Sequence, residues 1–201
     1  MNLVELINDL NFNILFPLFI GFKLLLETYL KQRNIQSMEK NKETIPERFI
    51  DVVTEEEYKK SINYNTERIR FSMFTATISV VVLLLFTSGG LLNSLTKIVQ
   101  DITQSNVLGI ILLGLFIVLI DEIVGIPLAV YSTFTLEEKY GFNKTTAKTF
   151  IQDLIKNLII SVVFASTLYA VVISIIERLG DNWWISAFVA VFLFQATVFS
   201  L

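Results

Sequence analysis

The chain has 201 residues, 53% of them hydrophobic and 17% charged, with a net charge of -3. That balance gives no reason to expect nucleic acid as a partner, and the apolar excess is gathered in blocks, the pattern of a membrane protein. Cysteine and histidine are both absent, which excludes disulfides, thiolate or imidazole metal sites, and Ser-His-Asp or Cys-His catalysis by this chain.

A bilayer crossing needs about 20 apolar residues. In chain order, "FNILFPLFIGFKLLLETYL" predicts a first span from about Phe12 to Leu30. No basic residue precedes it and no small-residue cleavage pattern follows, so it reads as a retained span and not a signal peptide. Lys23 near its inner end has two readings: an ammonium that snorkels to the interface, or a partner for an acid on another span. A polar segment follows, reading as one or two helices at the membrane's inner face. Thr54 and Glu57 in it have the spacing of a capping box. Its charges are read as a solvated face, with a docking surface as the alternative.

The second span covers about Phe71 to Thr87, and Leu91 to Asn106 is read as a connection. The third span runs from Val107 to about Val130 and contains Asp121, Glu122 and Pro127. Asp121 lies ~21 Å along the span at ~1.5 Å per residue, where an acid facing lipid is costly. Helical spacing puts it on one face with the small residues Gly114 and Gly125. Asp121 and Glu122 are either a buried pair that fixes packing or the lining of a hydrated chamber. The fourth span covers about Leu154 to Ile176, and the fifth starts at Trp183-Trp184 and runs to Leu201. The expected fold is an all-α, polytopic transmembrane bundle of about five spans, with a cytoplasmic helical segment between the first two.

Lys31, Arg33, Lys40, Lys42, Arg48, Lys59, Lys60, Arg68 and Arg70 crowd the first connection, and Lys139, Lys144 and Lys148 the third. The second and fourth carry Lys97 and Arg178 alone. Counting basic residues puts the first and third connections in the cytoplasm, the N-terminus outside and Leu201 inside.

The third connection, "YSTFTLEEKYGFNKTTAKTF", is richer than a tether requires. Gly141 permits a turn, Asn143 is placed to cap the fourth span, and Phe134, Tyr140 and Phe142 suit the headgroup level. Glu137 and Glu138 gain nothing from an anionic leaflet, so they are expected to meet protein groups.

From Pro127 to Thr146, P-L-A-V-Y-S-T-F-T-L-E-E-K-Y-G-F-N-K-T-T resembles the signature of the integral-membrane CAAX prenyl proteases of type 1, P-F-x-x-Y-x-T-F-V-I-E-E-x-x-G-F-N-K-x-T. Tyr131, Phe134, Glu137, Glu138, Gly141, Phe142 and Asn143 carry the match, while Leu128 and Thr135 depart from it. Upstream, "YKKSINYNTERIRF" from Tyr58 to Phe71 is similar to that family's K-x-x-x-Y-x-x-x-K/R-x-x-F region. The resemblance implies a zinc metalloendopeptidase whose helices enclose a water-filled chamber and which trims prenylated C-termini. It also implies that zinc is held by H-E-x-x-H on a later helix, with a further Glu as ligand. This chain has no histidine and assembles no catalytic or metal site, so residues 1–201 are expected to be an N-terminal transmembrane domain. The last residues, "AFVAVFLFQATVFSL", close without an interfacial anchor, which leads us to expect a longer protein. Expected partners are the lipid bilayer, a C-terminal catalytic part, and a peptide or lipidated protein substrate. The alternative is a non-enzymatic membrane scaffold or transporter-like subunit.

Overall fold

The computed structural model describes residues 3–179 and 183–200, so Leu201 and the first two residues lie outside it, as does the side chain of Arg178. The helices run α1 (Leu3–Lys40), α2 (Glu55–Thr87), α3 (Leu91–Ile102), α4 (Asn106–Tyr131), α5 (Ala147–Leu179) and α6 (Trp183–Ser200). A 3-10 turn at Glu47–Phe49 lies between α1 and α2, and a π-helical segment at Ser132–Glu137 extends α4. No strand occurs among the described residues. Four stretches are long and apolar enough to cross a membrane: Asn13–Lys40, Glu55–Thr87, Asn106–Glu137 and Ala147–Tyr169. The fifth, Trp183–Thr197, is shorter.

Two compact units divide the chain. The first comprises Met1–Asn93 and Gly125–Lys144. Within it α1 packs along α2, and the π segment packs against α2. Ile35 and Ile62 are the most buried apolar side chains of the two long helices. Polar ties fasten the ends of α1 and α2 nearest their connection. Lys59 meets both Glu43 and Glu55 at 2.6 Å, and Arg70 approaches Glu39 at 3.4 Å. The capping box expected at Thr54 forms: the Thr54 N–H donates to Glu57 Oε2 at 2.9 Å, and the Glu57 N–H to Thr54 Oγ1 at 3.2 Å. Thus α2 is one helix from Glu55 through the apolar stretch, and much of the polar segment is the extension of two long helices.

Lys23 has an acid on its own helix as its ion-pair partner among the described residues. Its Nζ lies 3.5 Å from Glu27 Oε1, one turn along the same helix, and both side chains are exposed. An (i, i+4) acid was within reach all along.

The second unit comprises Ser94–Val124 and Thr145–Leu201. Here α5 packs on α6, with the Phe164 and Phe194 rings edge-on at 5.0 Å. On α4, Gly114 faces Tyr169 of α5 so closely that a Cβ would overlap the ring. The expectation that small residues permit close helix approach holds at Gly114 but not at Gly125, where nothing lies within 4 Å. The stretch expected to be a plain connection from Leu91 to Asn106 contains α3, which buries Leu95 and Val99. Ser105 ends it by capping α4, its Oγ accepting the Leu108 N–H at 3.4 Å.

Along the spans most large apolar side chains are exposed: Leu18, Phe19, Phe22 and Leu25 on α1, Ile159 and Val163 on α5, Phe188 and Phe192 on α6. Surfaces of this kind, on helices of this length, are at rest in hydrocarbon and not in water.

Candidate functional site at the end of α4

Two sequence motifs meet in the first unit. Lys60, Tyr64, Arg68 and Phe71 recur at three- and four-residue intervals along α2, and so share one broad face of the helix. Opposite them the chain leaving α4 widens into π geometry from Ser132 to Glu137, a form found mostly where function outweighs helical economy. Leu136 is buried at this point, so the widened turn seats one apolar anchor while its neighbours stay accessible.

The turn itself closes by a double backbone lock. The Phe142 N–H donates to the Glu137 carbonyl at 2.9 Å, and the Gly141 N–H to the Glu138 carbonyl at 2.9 Å. This is the Schellman pattern, which needs a left-handed residue at the second-to-last position. Gly141 supplies it, with φ at 71°. The Asn143 N–H also reaches the Glu137 carbonyl, at 3.3 Å. The Asn143 amide donates to the Glu138 carboxylate at 2.9 Å. Asn143 does not provide the helix cap expected of it. Thr146 does, its Oγ1 accepting the Thr149 N–H at 3.2 Å at the start of α5. Asn143 stands three residues before this cap, too early to serve α5.

Aromatic rings then fix the turn to α2. Tyr64 stands 4.6 Å from Phe142 and 5.5 Å edge-on from Tyr140, and Phe71 lies 5.0 Å from Tyr131. Lys60 sits over the Phe142 ring and Lys139 over the Tyr140 ring. Lys139 also pairs with Glu67 at 2.5 Å, a contact between residues far apart in sequence. That hydrogen bond raises the Lys139 ammonium above its ordinary value. Burial, then the facing Glu67 carboxylate, raises the Tyr140 hydroxyl. Both shifts favour the protonated forms. Beside this junction lies a groove of about 640 Å³, with Glu67, Arg70 and Lys139 as its charged groups and Phe71, Phe74 and Tyr131 among its apolar walls.

The other sequence-marked residues sit as follows. Phe134 is half-buried in the π segment. Glu137 is half-buried, and its backbone carbonyl holds the turn. Asp121 is exposed and Glu122 half-buried on α4, neither with an ion pair or hydrogen bond among the described residues. In the sequence Tyr64 and Glu67 stood only inside the Tyr58 to Phe71 motif and Lys139 only in the basic-residue count, so their meeting was not foreseen. Pairs across helices leave no periodic trace.

Residues 34–201 match a family described as the CAAX prenyl protease N-terminal region with five membrane helices. The chain belongs to that family. Similar proteins include a probable CAAX prenyl protease 1 of Schizosaccharomyces pombe, 31% identical over 84% of this chain and 38% of that protein. CAAX prenyl protease 1 of Saccharomyces cerevisiae is 28% identical over 87% of this chain and 40% of its own length. The crystal structure of S. mikatae Ste24p shares the fold, with a TM-score of 0.83 at 24% identity over 94% of this chain and 45% of that one. The chain thus spans about two fifths of the curated relatives' length. As a member of the CAAX prenyl protease N-terminal family it is a multi-pass integral membrane protein.

Proposed function

We propose that residues 1–201 form the N-terminal transmembrane domain of a CAAX prenyl protease-like zinc metalloendopeptidase, building chamber walls and admitting substrate. The whole protein would process the C-termini of prenylated or other membrane-associated proteins. The observation that carries this reading is the family match over residues 34–201, which takes in both motifs joined at the α2–α4 junction.

The zinc of such an enzyme would be held outside this chain. There is no histidine or cysteine to ligate it, and no cluster of three acidic side chains suited to a metal occurs among the described residues. Metal and catalytic water would be held by a C-terminal part, and no catalytic step is assigned to any residue here. The role of Glu137, Glu138 and Asn143 is to order the turn and present it to that part. Asp121 and Glu122 are intramembrane acids with no partner among the described residues, and at least one lines the hydrated chamber. The orientation follows the basic residues, with Glu39 and Glu137 in the cytoplasm.

The test joins this chain to the S. pombe relative's remaining length and assays cleavage of a prenylated peptide in membranes. The chain alone should release no product, and the joined protein should. Cleavage by the chain alone, or a folded joined protein without activity, would overturn the reading.

A further inference from the structure

Helix α3 has an apolar face that the protein only half covers. Its residues LLNSLTKIVQDI divide cleanly at 100° per residue. Leu91, Leu92, Leu95, Ile98, Val99 and Ile102 occupy one arc of ~120°, with Asn93, Lys97, Gln100 and Asp101 on the rest. Within the apolar arc, Leu95 and Val99 are 8% and 4% exposed. Val99 turns toward Gly109 of α4, where a Cβ would lie 3.5 Å from its Cγ1. Ile98 and Ile102, on the adjoining edge of the same arc, are 48% and 58% exposed. Lys97 and Asp101 are exposed on the opposite side and pair with nothing among the described residues.

We infer that α3 lies in the membrane surface, with Ile98 and Ile102 inserted among lipid chains and Lys97 and Asp101 in water. Length excludes a crossing. Twelve residues span ~18 Å, against ~30 Å of hydrocarbon. Tethering excludes a free aqueous helix. Three residues, Ser88 to Gly90, separate α3 from the apolar end of α2, and three more, Thr103 to Ser105, from the start of α4. Three residues reach at most ~11 Å. The helix is therefore held near the level where the two helices flanking it in the chain leave the hydrocarbon. A charged face opposite an apolar one, on a short helix at that level, is the pattern of an in-plane interfacial helix. The occupant of the open edge is lipid.

Because the chain has no cysteine, single sites can be labelled without background. Ile98→Cys, Ile102→Cys, Lys97→Cys and Asp101→Cys each replace an exposed side chain, and the buried Leu95 and Val99 are left in place. Each variant would carry a nitroxide label in phosphatidylcholine vesicles, with power saturation by oxygen and by a water-soluble nickel chelate. The oxygen-to-nickel accessibility ratio should be several-fold higher at positions 98 and 102 than at 97 and 101. Equal ratios at all four sites would mean an aqueous helix. Labels at 98 and 102 shielded from both reagents would mean that protein covers the edge. Either result overturns the inference.

Discussion

At Gly141 a single φ of 71° decides whether the α4 turn can close. The space around it is open except for the flexible end of Lys60, 3.8 Å from where a Cβ would stand. Gly141→Ala therefore introduces backbone strain and little else. Left-handed geometry costs a residue with a Cβ about 1–2 kcal/mol, and a lower melting temperature in detergent should show it, with Gly141→Asn milder. An unchanged Gly141→Ala melt would mean the turn is not held in this form. Lys139 makes a second prediction at this scale. Its raised pKa comes first from the hydrogen bond to Glu67, so the pair's contribution is complete below the ordinary lysine value of 10.5. It is lost only as pH rises through the higher folded-state value. Lys139→Met should thus lower stability at pH 7, modestly because both side chains are largely solvated, and remove any difference from the parent in strong alkali. An effect that grew with pH would contradict the assignment.

Among the helices, the spans and the Thr54–Glu57 cap were legible because apolar runs and cap spacing are local properties of the chain. The helix α3 was not. It offers six apolar residues in twelve, enough for one face but far short of a crossing, and a search for long apolar blocks passes over it. The continuity of α2 from Glu55 into its apolar stretch was hidden for a related reason: composition changes along the helix while hydrogen bonding does not. The π segment has no residue signature of its own. As for the site, the motif residues were visible as a string, but their attachment to Tyr64, Glu67 and Phe71 depends on α2 and α4 meeting. The α4–α5 contact yields a prediction at this scale. Gly114→Ala puts a Cβ into the Tyr169 ring, and overpacking of this kind costs about 1–3 kcal/mol. Tyr169→Leu should relieve part of that loss when the two are combined, a non-additive pair measured by thermal unfolding. Strict additivity would show that the two residues do not touch in the membrane.

For the whole molecule, the orientation proposed from the basic residues of the first and third connections can be tested chemically. A cysteine replacing Glu39 should resist an impermeant thiol reagent in intact cells and react once the membrane is opened; labelling from outside would reverse the topology. In the proposed function this chain encloses water for chemistry performed by a C-terminal part. Its most direct test is at the two intramembrane acids. In the protein joined to a C-terminal part, Asp121→Cys and Glu122→Cys would be exposed to a small water-soluble thiol reagent, with Ile123→Cys, a 69% exposed apolar neighbour, as the lipid-facing control. The account predicts reaction at Asp121 or Glu122 and silence at Ile123, whereas silence at both acids in a stable, folded protein would contradict it.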